Sequence, residues 1–354
     1  MIAHLDIDAF FAAVELHRHP EHRRKPLVVG GDPAGRGVVA TASYAARRFG
    51  IHSAMSCAEA RRRCPDAVFI TPDIGLYRQW SARVWEVLGQ LADAIEVVGL
   101  DEGYLAVGDA DPEARAAELQ QIVRSRMRLS CSLGVSRAKV VAKVASDHRK
   151  PGGITVVPAG HEAEFLAPLP LRALPGIGPR TEERLRAAGL RQIGDLAALD
   201  ETHELVSGSW GVQIHARARG IDPRPVETEP SDRLSVSAER TFSEDVADRR
   251  ELERRGSEMA ARVSERLAER ARAASTVTVK MRFPDFRTIT RSETLGAPTA
   301  DAAEIWAVAA RLLEVALAER PEPLRLLGVG VSGFDRPRQL PLFGQAGRPS
   351  WIAD

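Results

Sequence analysis

Apolar residues recur along the first 150 positions with two periods, and the switches between them mark out elements. An N-terminal apolar strand ends in acid at His4-Leu5-Asp6-Ile7-Asp8 and runs into a helix-like stretch, Ala12-Ala13-Val14-Glu15. Leu27, Val28 and Val29 form a short strand that stops at a Gly-Gly-Asp-Pro turn, and residues 35–50 read as a strand leading into a helix that ends at Gly50. Residues 56–63 read as a short basic helix closed by Pro65, and residues 67–70 as a strand. Over residues 74–92 the positions Leu76, Trp80, Val84, Trp85, Leu88 and Leu91 keep the helical period and predict a core-facing helix. Two short apolar runs, residues 95–98 and 104–107, then flank a tight bend. Asp111-Pro112 starts a further helix, and residues 129–135 make another strand. Strand, helix, an intervening module, strand, hairpin strand, helix, strand is the order of a ferredoxin-like α+β sheet, which sets the first strand beside the bend.

The second half repeats the logic. Residues 168–186 hold Leu174-Pro175-Gly176-Ile177-Gly178-Pro179-Arg180 between helical segments, the form of a helix-hairpin-helix. The amides around Gly176 and Gly178 and the helix start that follows can hold a DNA phosphate without reading sequence. A Pro-rich polar stretch, residues 222–230, reads as a linker. Beyond it come a strand (234–242), a long Arg/Glu-rich helix (249–271), a hairpin (276–283 and 287–295), a helix (300–317) and a last strand (324–331), a second βαββαβ unit. Lys280 and Arg282 on one hairpin arm, with Arg287 and Arg291 on the other, predict a basic ribbon because same-parity positions on a strand share a face.

Composition narrows the class without naming a partner. With 354 residues the expectation is two to four domains, and 44% hydrophobic with 27% charged residues is the balance of a globular protein without a membrane span. No signal-peptide pattern opens the chain, so a cytoplasmic location is expected. Three cysteines, Cys57, Cys64 and Cys131, lack metal-type spacing and are expected to be buried and reduced. A formal net charge of +1 means that any nucleic-acid surface has to be local. Residues 136–150 supply one such segment, in which Lys139 and Lys143 share a helical face opposite Val140, Val141 and Val144.

The bend itself carries the chemistry. Asp101 and Glu102 stand in an apolar context where unpaired acid is costly, and Asp6 ends the strand expected beside them. Taken singly, such acids are most often turn formers or caps; together the three make a cage of hard oxygen donors suited to Mg²⁺. Tyr44 and Arg47, three apart, share a helical face and could hold an anion, although on spacing alone a core tyrosine beside a solvated arginine is the commoner outcome. After residue 334 the chain is polar and Pro/Gly-rich except for the island Gln339-Leu340-Pro341-Leu342-Phe343, whose apolar side chains suit a docking peptide.

These pieces together resemble the Y-family DNA polymerases, in the DinB or DNA polymerase IV branch, over essentially the whole chain. The resemblance rests on residues 6–15, Ala42-Ser43-Tyr44-Ala45-Ala46-Arg47, Leu100-Asp101-Glu102-Gly103-Tyr104-Leu105, Gly134-Val135-Ser136 through Lys143, and Lys150-Pro151-Gly152-Gly153. It implies a right-hand polymerase: a ferredoxin-like palm (residues 1–11 and 75–165), small fingers (12–74), a helix-hairpin-helix thumb (166–230), a βαββαβ little finger (231–335) and a tail (336–354). It makes Asp6, Asp101 and Glu102, with the Ile7 carbonyl, ligands of two Mg²⁺ ions, for which Mn²⁺ can substitute, and it does not make Asp8 a ligand. It makes Phe11 a steric gate against a ribose 2′-hydroxyl, and Phe10 beside it a further contact of the incoming dNTP. Tyr44, Arg47 and Lys150, helped by Thr41, hold the triphosphate. Lys139, Lys143, Gly176, Gly178 and the basic ribbon contact DNA. Gln339, Leu340, Leu342 and Phe343 match a motif for the bacterial sliding clamp (beta clamp).

The implied reaction is template-directed, low-fidelity addition of dNTP to primer–template DNA by a monomer. Ala9, Ala40 and Ala42 are implied to leave a roomy site, against ordinary tight packing as the alternative. The departures from the family pattern are Gly99 for the usual Ser, Gly103 for Ala and Ala106 for a frequent Asp, and Gly103 is expected to loosen the bend. A non-catalytic adaptor linking clamp and DNA, and another two-metal phosphoryl-transfer enzyme such as a nuclease or cyclase, are the competing readings.

Overall fold

The N-terminal apolar run becomes the central strand of a sheet. In the computed structural model, which describes residues 1–229 and 234–334, β1 (Ile2–Ile7) leads into α1 (Phe10–Arg18). There follow β2 (Leu27–Gly30), β3 (Val39–Ala42), α2 (Tyr44–Arg47), α3 (Cys57–Arg63), β4 (Val68–Ile70) and α4 (Ile74–Gly89). Next come β5 (Ile95–Val97), β6 (Glu102–Ala106), α5 (Pro112–Ile122), β7 (Cys131–Ser136), α6 (Lys139–His148) and β8 (Ile154–Val156). Helices α7 (Glu162–Leu166), α8 (Pro179–Ala187), α9 (Ile193–Ala197) and α10 (Gly208–Ala218) complete the first of two units, residues 1–230.

The sheet order β5-β6-β1-β7 is that of the ferredoxin-like sheet expected from the element order, and β8 adds a fifth, parallel strand beyond β7. β1 runs antiparallel to both neighbours. Alternation sends Ala3, Leu5 and Ile7 to one face, where they pack with Tyr77 and Leu88 of α4 and Leu119 of α5. The opposite face receives α6, which can approach because β7 carries Gly134: a Cβ there would lie 2.1 Å from the Ala142 carbonyl oxygen.

Packing assigns two segments near the expected domain edges to particular cores. Phe10, Ala12 and Val14 of α1 are buried in the core of the five-stranded sheet, whereas the core under the sheet β3-β2-β4 draws on Val28, Val39, Ile51, Cys57 and Ala60. Phe165 and Leu166, at and beside the expected end of the palm, pack with Leu171, Leu174, Leu185 and Ile193 in the helical core. All three cysteines are free and buried, as their spacing suggested.

The second unit contains β9 (Ser235–Val246), α11 (Arg249–Ala268), β10 (Ala274–Arg282), β11 (Thr288–Thr299), α12 (Ala302–Glu319) and β12 (Leu324–Phe334). Its sheet runs β11-β10-β12-β9 with every neighbour antiparallel. Met259, Val263, Ile305 and Leu313 of the two helices close a core with Val277, Val279, Val329 and Val331 of the strands. The other face of the sheet is left open. Among the described residues no helix is long and apolar enough to cross a membrane.

Gly103 departs from its expected role. A Cβ at this position would meet the Glu96 carbonyl oxygen at 2.8 Å and the Trp85 ring at 2.9 Å, so the glycine admits the tryptophan tightly and does not loosen the bend. Gly103→Ala is therefore expected to destabilise the first unit by about 1–3 kcal/mol through overpacking. Trp85→Leu in the same chain should recover part of that loss. Thermal melts of the single and double variants check this, and an unchanged midpoint for Gly103→Ala would contradict it.

Candidate active site

Strand pairing brings the acids together. The register of β1 against β6 sets Asp6 opposite Glu102 and His4 opposite Tyr104, so all four side chains stand on the face that α6 covers. The bend is pinned to β1 by the Ile7 amide, which donates to the Asp101 carbonyl at 2.8 Å, and is closed by the Val98 and Gly99 amides, which donate to the Glu102 carbonyl.

Two lysines answer this acid. Lys143, one turn into α6, donates to Glu102. Lys150 lies 2.7 Å from Asp6 and 2.7 Å from Asp147. Buried His4 sits 3.5 Å from Glu102, long for a hydrogen bond, with its Nδ1 2.8 Å from the Ser146 hydroxyl. His4 and Lys143 together hold the Glu102 carboxyl down at about 2, despite the opposing effect of its burial.

Asp6 and Asp101 behave oppositely. Burial pushes the Asp6 carboxyl up against the pull of Lys150, and Asp101 adds to the rise. Burial likewise raises Asp101, followed by the charge of Glu102. Burial opposes the charge on Lys150, but Asp6 and Asp147 outweigh it and shift the amine upward. Because Asp6 is turned to Lys150 and Glu102 to Lys143, the cage is not closed: among the described residues no three His, Cys, Asp or Glu side chains stand close enough to ring one ion.

Asp8 points elsewhere. It is 4% exposed and accepts from the Ser130 and Ser132 hydroxyls, the Gly152 amide and the Tyr44 hydroxyl. Tyr44 and Arg47 share a face of α2 as their spacing implied, with the guanidinium 4.5 Å above the phenol ring and its Nε donating to the Ala42 carbonyl. Burial and the nearby Asp8 charge lift the Tyr44 phenol to about 12. Thr41 lies on β3 opposite Val29. Phe11 stacks on Tyr77 with centroids 4.2 Å apart and planes at 15°, and the Tyr77 hydroxyl donates to fully buried Glu15 at 2.7 Å.

Several expected contacts are corrected by burial and register. Phe10 is 1% exposed and belongs to the core, so it cannot line a nucleotide pocket. Ala42 is buried in the core beneath β3, which is the ordinary-packing outcome, while Ala40 is exposed. Lys139 is 2% exposed; its ammonium meets Glu96, the Pro225 carbonyl and the Tyr104 ring, and it is no surface contact for DNA. Lys143 is committed to Glu102.

The hairpin ribbon is also broken. Lys280 and Arg282 face the open side of their sheet, whereas Arg291 stands opposite Val279 on the helix side and pairs with Glu319. Lys280 itself is paired with Glu239 at 2.8 Å, Arg282 donates to Thr288 at 2.9 Å, and Arg287 is exposed at the hairpin tip. The open face is instead a ladder of hydroxyls and glycines: Thr276 with Thr294, Thr278 with Ser292, and Ser235, Ser237, Gly328, Gly330 and Ser332 across the remaining strands. In the helical region Gly176 turns the chain and Gly178 caps α8, with Pro179 at its first position. Residues 339–343 lie outside the described residues.

The sequence matches the impB/mucB/samB family over residues 5–147, that family's HHH motif over 160–190 and its C-terminal domain over 233–342. DNA polymerase IV of Dehalococcoides mccartyi strain CBDB1 is 41% identical over 344 residues, 96% of this chain and 88% of its own. DNA polymerase IV of Halorhodospira halophila is 44% identical over 346 residues, 96% of each chain. The chain belongs to the Y-family DNA polymerases, in the DNA polymerase IV branch. A solved Y-family DNA polymerase chimera of Dbh and Dpo4 has the same fold, with a TM-score of 0.85 over 94% of this chain and 98% of that one at 24% identity. This Y-family chain is thus a DNA-directed DNA polymerase of the translesion class, and the reading as a non-catalytic adaptor finds no support among its relatives.

Sequence reasoning missed His4, Ser130, Ser132, Glu15 and Tyr77. The alternation of His4 with Asp6 on one strand was the available signal for the first, while the rest depend on contacts between segments far apart in the chain.

The opposed shifts give a signed expectation for stability. Asp101, raised above its ordinary 3.8, disfavours the fold once ionised, so the stability present below that pH is lost as pH rises through the elevated folded value. Glu102, lowered from 4.5 to about 2, contributes stability above pH 4.5 that is lost as pH falls toward 2. In metal-free buffer at pH 7, Asp101→Asn should raise the melting temperature by a few degrees and Glu102→Gln should lower it, with both differences shrinking below about pH 4. Thermal melts across pH test this, and a fall in melting temperature for Asp101→Asn at pH 7 would refute it.

Proposed function

We propose that this polymerase performs nucleotidyl transfer at the end of the β1–β6 pair, using the three carboxylates for metal and the Tyr44, Arg47 and Lys150 side chains for the triphosphate. The observation that carries the reading is the register that sets Asp6 opposite Glu102 with Asp101 at the bend beside them, the carboxyls of Asp6 and Asp101 being raised chiefly by burial and further by a neighbouring acid each. Hard, under-neutralised oxygens of this kind fit Mg²⁺, with Mn²⁺ able to substitute. Asp6, Asp101 and Glu102, with the Ile7 carbonyl, would hold two ions, which when bound acidify the primer 3′-hydroxyl and stabilise charge on the phosphate and the pyrophosphate leaving group.

The rest of the work falls to this chain's own side chains. Lys150, which bridges Asp6 and Asp147 here, can turn its ammonium to triphosphate oxygens, where Arg47 and the Tyr44 hydroxyl add charge and a donor. Thr41 supports them from β3. Phe11 excludes a 2′-hydroxyl by occupying its space, and the stacked, hydrogen-bonded Tyr77 keeps the ring from swinging aside.

The helices and the second unit supply the DNA surface. The α8 start after Gly176 and Gly178 offers amides to a phosphate, and the hydroxyl face of the four-stranded sheet, with Arg282 and Arg287 near the hairpin tip, lies against the primer–template backbone. Residues 339–343 dock a sliding clamp, and the enzyme acts as a cytoplasmic monomer. Palm, fingers, thumb and little finger follow the boundaries given above, with α1 assigned to the palm and the end of α7 to the thumb.

Primer extension tests the assignment. Asp101→Ala or Glu102→Ala should abolish extension while leaving DNA binding intact. Loss of one charge-assisted contact in Lys150→Ala should raise the dNTP KM by about tenfold or more. Near-normal extension by the first pair would sink the metal reading, and an unchanged KM for the third would sink the triphosphate reading. Separately, Phe11→Ala should admit ribonucleotides; unchanged sugar selectivity would remove the gate.

A further inference from the structure

Asp8 is the most heavily bonded acid of the site. Its Oδ1 accepts from Ser132 Oγ at 2.9 Å and from the Tyr44 hydroxyl at 3.3 Å. Its Oδ2 accepts from Ser130 Oγ at 2.6 Å and from the Gly152 amide at 2.8 Å. An ionised carboxylate offers about four lone-pair sites, and here four donors take them. The side chain is also 4% exposed. Asp8 stands two residues from Asp6, and with its lone pairs taken it has no acceptor position left for a cation.

What the four donors belong to gives the group its meaning. Ser130 and Ser132 lie at the start of β7, the strand next to β1, and the Asp8 amide donates to the Ser130 carbonyl at 2.9 Å. These bonds tie Asp8 to the rigid sheet. The remaining two come from segments outside these strands. Tyr44 is on α2, over the three-stranded sheet, and Gly152 is two residues from Lys150. The peptide at Gly152 is fixed at both ends, since Ser132 Oγ also accepts from its amide at 3.0 Å and Gln120 donates to its carbonyl at 3.0 Å.

We propose that Asp8 is a positioning residue for the incoming nucleotide, a fixed point on the sheet that sets the separation between the Tyr44 hydroxyl and the Lys150 loop and so the width of the triphosphate grip. This rests on the reading that Tyr44 and Lys150 hold the triphosphate. The four donors are three hydroxyls and one backbone amide, so an Asn in its place either sets its NH₂ against the Gly152 amide or makes two hydroxyls, that of Tyr44 among them, reverse their roles from donor to acceptor.

The test compares the full chain with Asp8→Asn, the double variant Ser130→Ala/Ser132→Ala, and Lys150→Ala as the control for the underlying reading. Three quantities are read: dNTP affinity on a dideoxy-terminated primer–template, dNTP KM against kcat, and the Mg²⁺ concentration at half-maximal rate. Removing partners that orient a binding group costs roughly 10–100-fold in affinity, so Asp8→Asn should weaken dNTP binding and raise KM by about tenfold, with a smaller change in kcat and an unmoved Mg²⁺ midpoint. The serine variant, which touches no nucleotide, should shift KM in the same direction by a smaller factor.

A shifted Mg²⁺ midpoint with collapsed kcat would make Asp8 a ligand and overturn the proposal. A lowered melting temperature with unchanged dNTP affinity and KM would make it purely structural and overturn it equally. If Asp8→Asn does not fold, the serine variant decides, and an unchanged KM there overturns the proposal. If Lys150→Ala leaves KM unchanged, the triphosphate reading itself fails; if only Lys150→Ala raises it, the role given to Asp8 fails alone.

Discussion

Negative charge gathered at the ends of two adjacent strands is costly to bury, and much of the first unit is arranged around that cost. β1 and β6 place Asp6 directly across from Glu102, with Asp101 at the bend. α6 lies on β7 at Gly134, close enough for Lys143 to reach one carboxylate, and the loop after it returns Lys150 to the other. The neutralisation is uneven. Glu102 is well served by His4 and Lys143, while Asp6 and Asp101 stay raised, and in the metal-binding role proposed for the three this residual misfit is what a divalent cation would relieve.

The same strand carries two acids with different fates. Asp6 faces charge partners that can be exchanged, whereas Asp8 is surrounded by hydroxyls and an amide that are themselves part of the framework. A strand ending in Asp-Ile-Asp thus combines an adaptable group and a fixed one within two residues. The Phe11 ring has a comparable backing: it leans on Tyr77, which leans on Glu15, so an element contributed by α4 governs the shape of a surface built on α1.

Much of this was legible in the order of residues. Helical and strand periods located the main strands and helices of both sheets but not β8, α7 or α10, and the ferredoxin-like order placed Asp6 beside Asp101 and Glu102 because topology follows from the succession of elements. Tyr44 and Arg47 could be paired from their spacing because three residues along one helix are geometric neighbours. What was not legible depended on partners distant in sequence. Lys139 looked like part of a solvated basic face, but Glu96 on β5 and the Pro225 carbonyl bury it. Arg291 looked like part of a ribbon, but the register with β10 turned it to Glu319. Phe10 and Phe11 are adjacent and chemically alike, and only the helix orientation sends one to the core and leaves the other half-buried.

The open face of the second unit is lined mainly by Ser, Thr and Gly, and of its two basic side chains Lys280 is already matched by Glu239. A surface of this composition that lies on a nucleic-acid backbone displaces few condensed counterions, and its share of the affinity therefore changes little with ionic strength. Its two long donors are engaged within the sheet, Lys280 with Glu239 and Arg282 with Thr288. In the DNA-binding role proposed for it, such a surface would support a duplex by fit and by short neutral hydrogen bonds, contacts that read neither the base sequence nor chemical alteration of the bases.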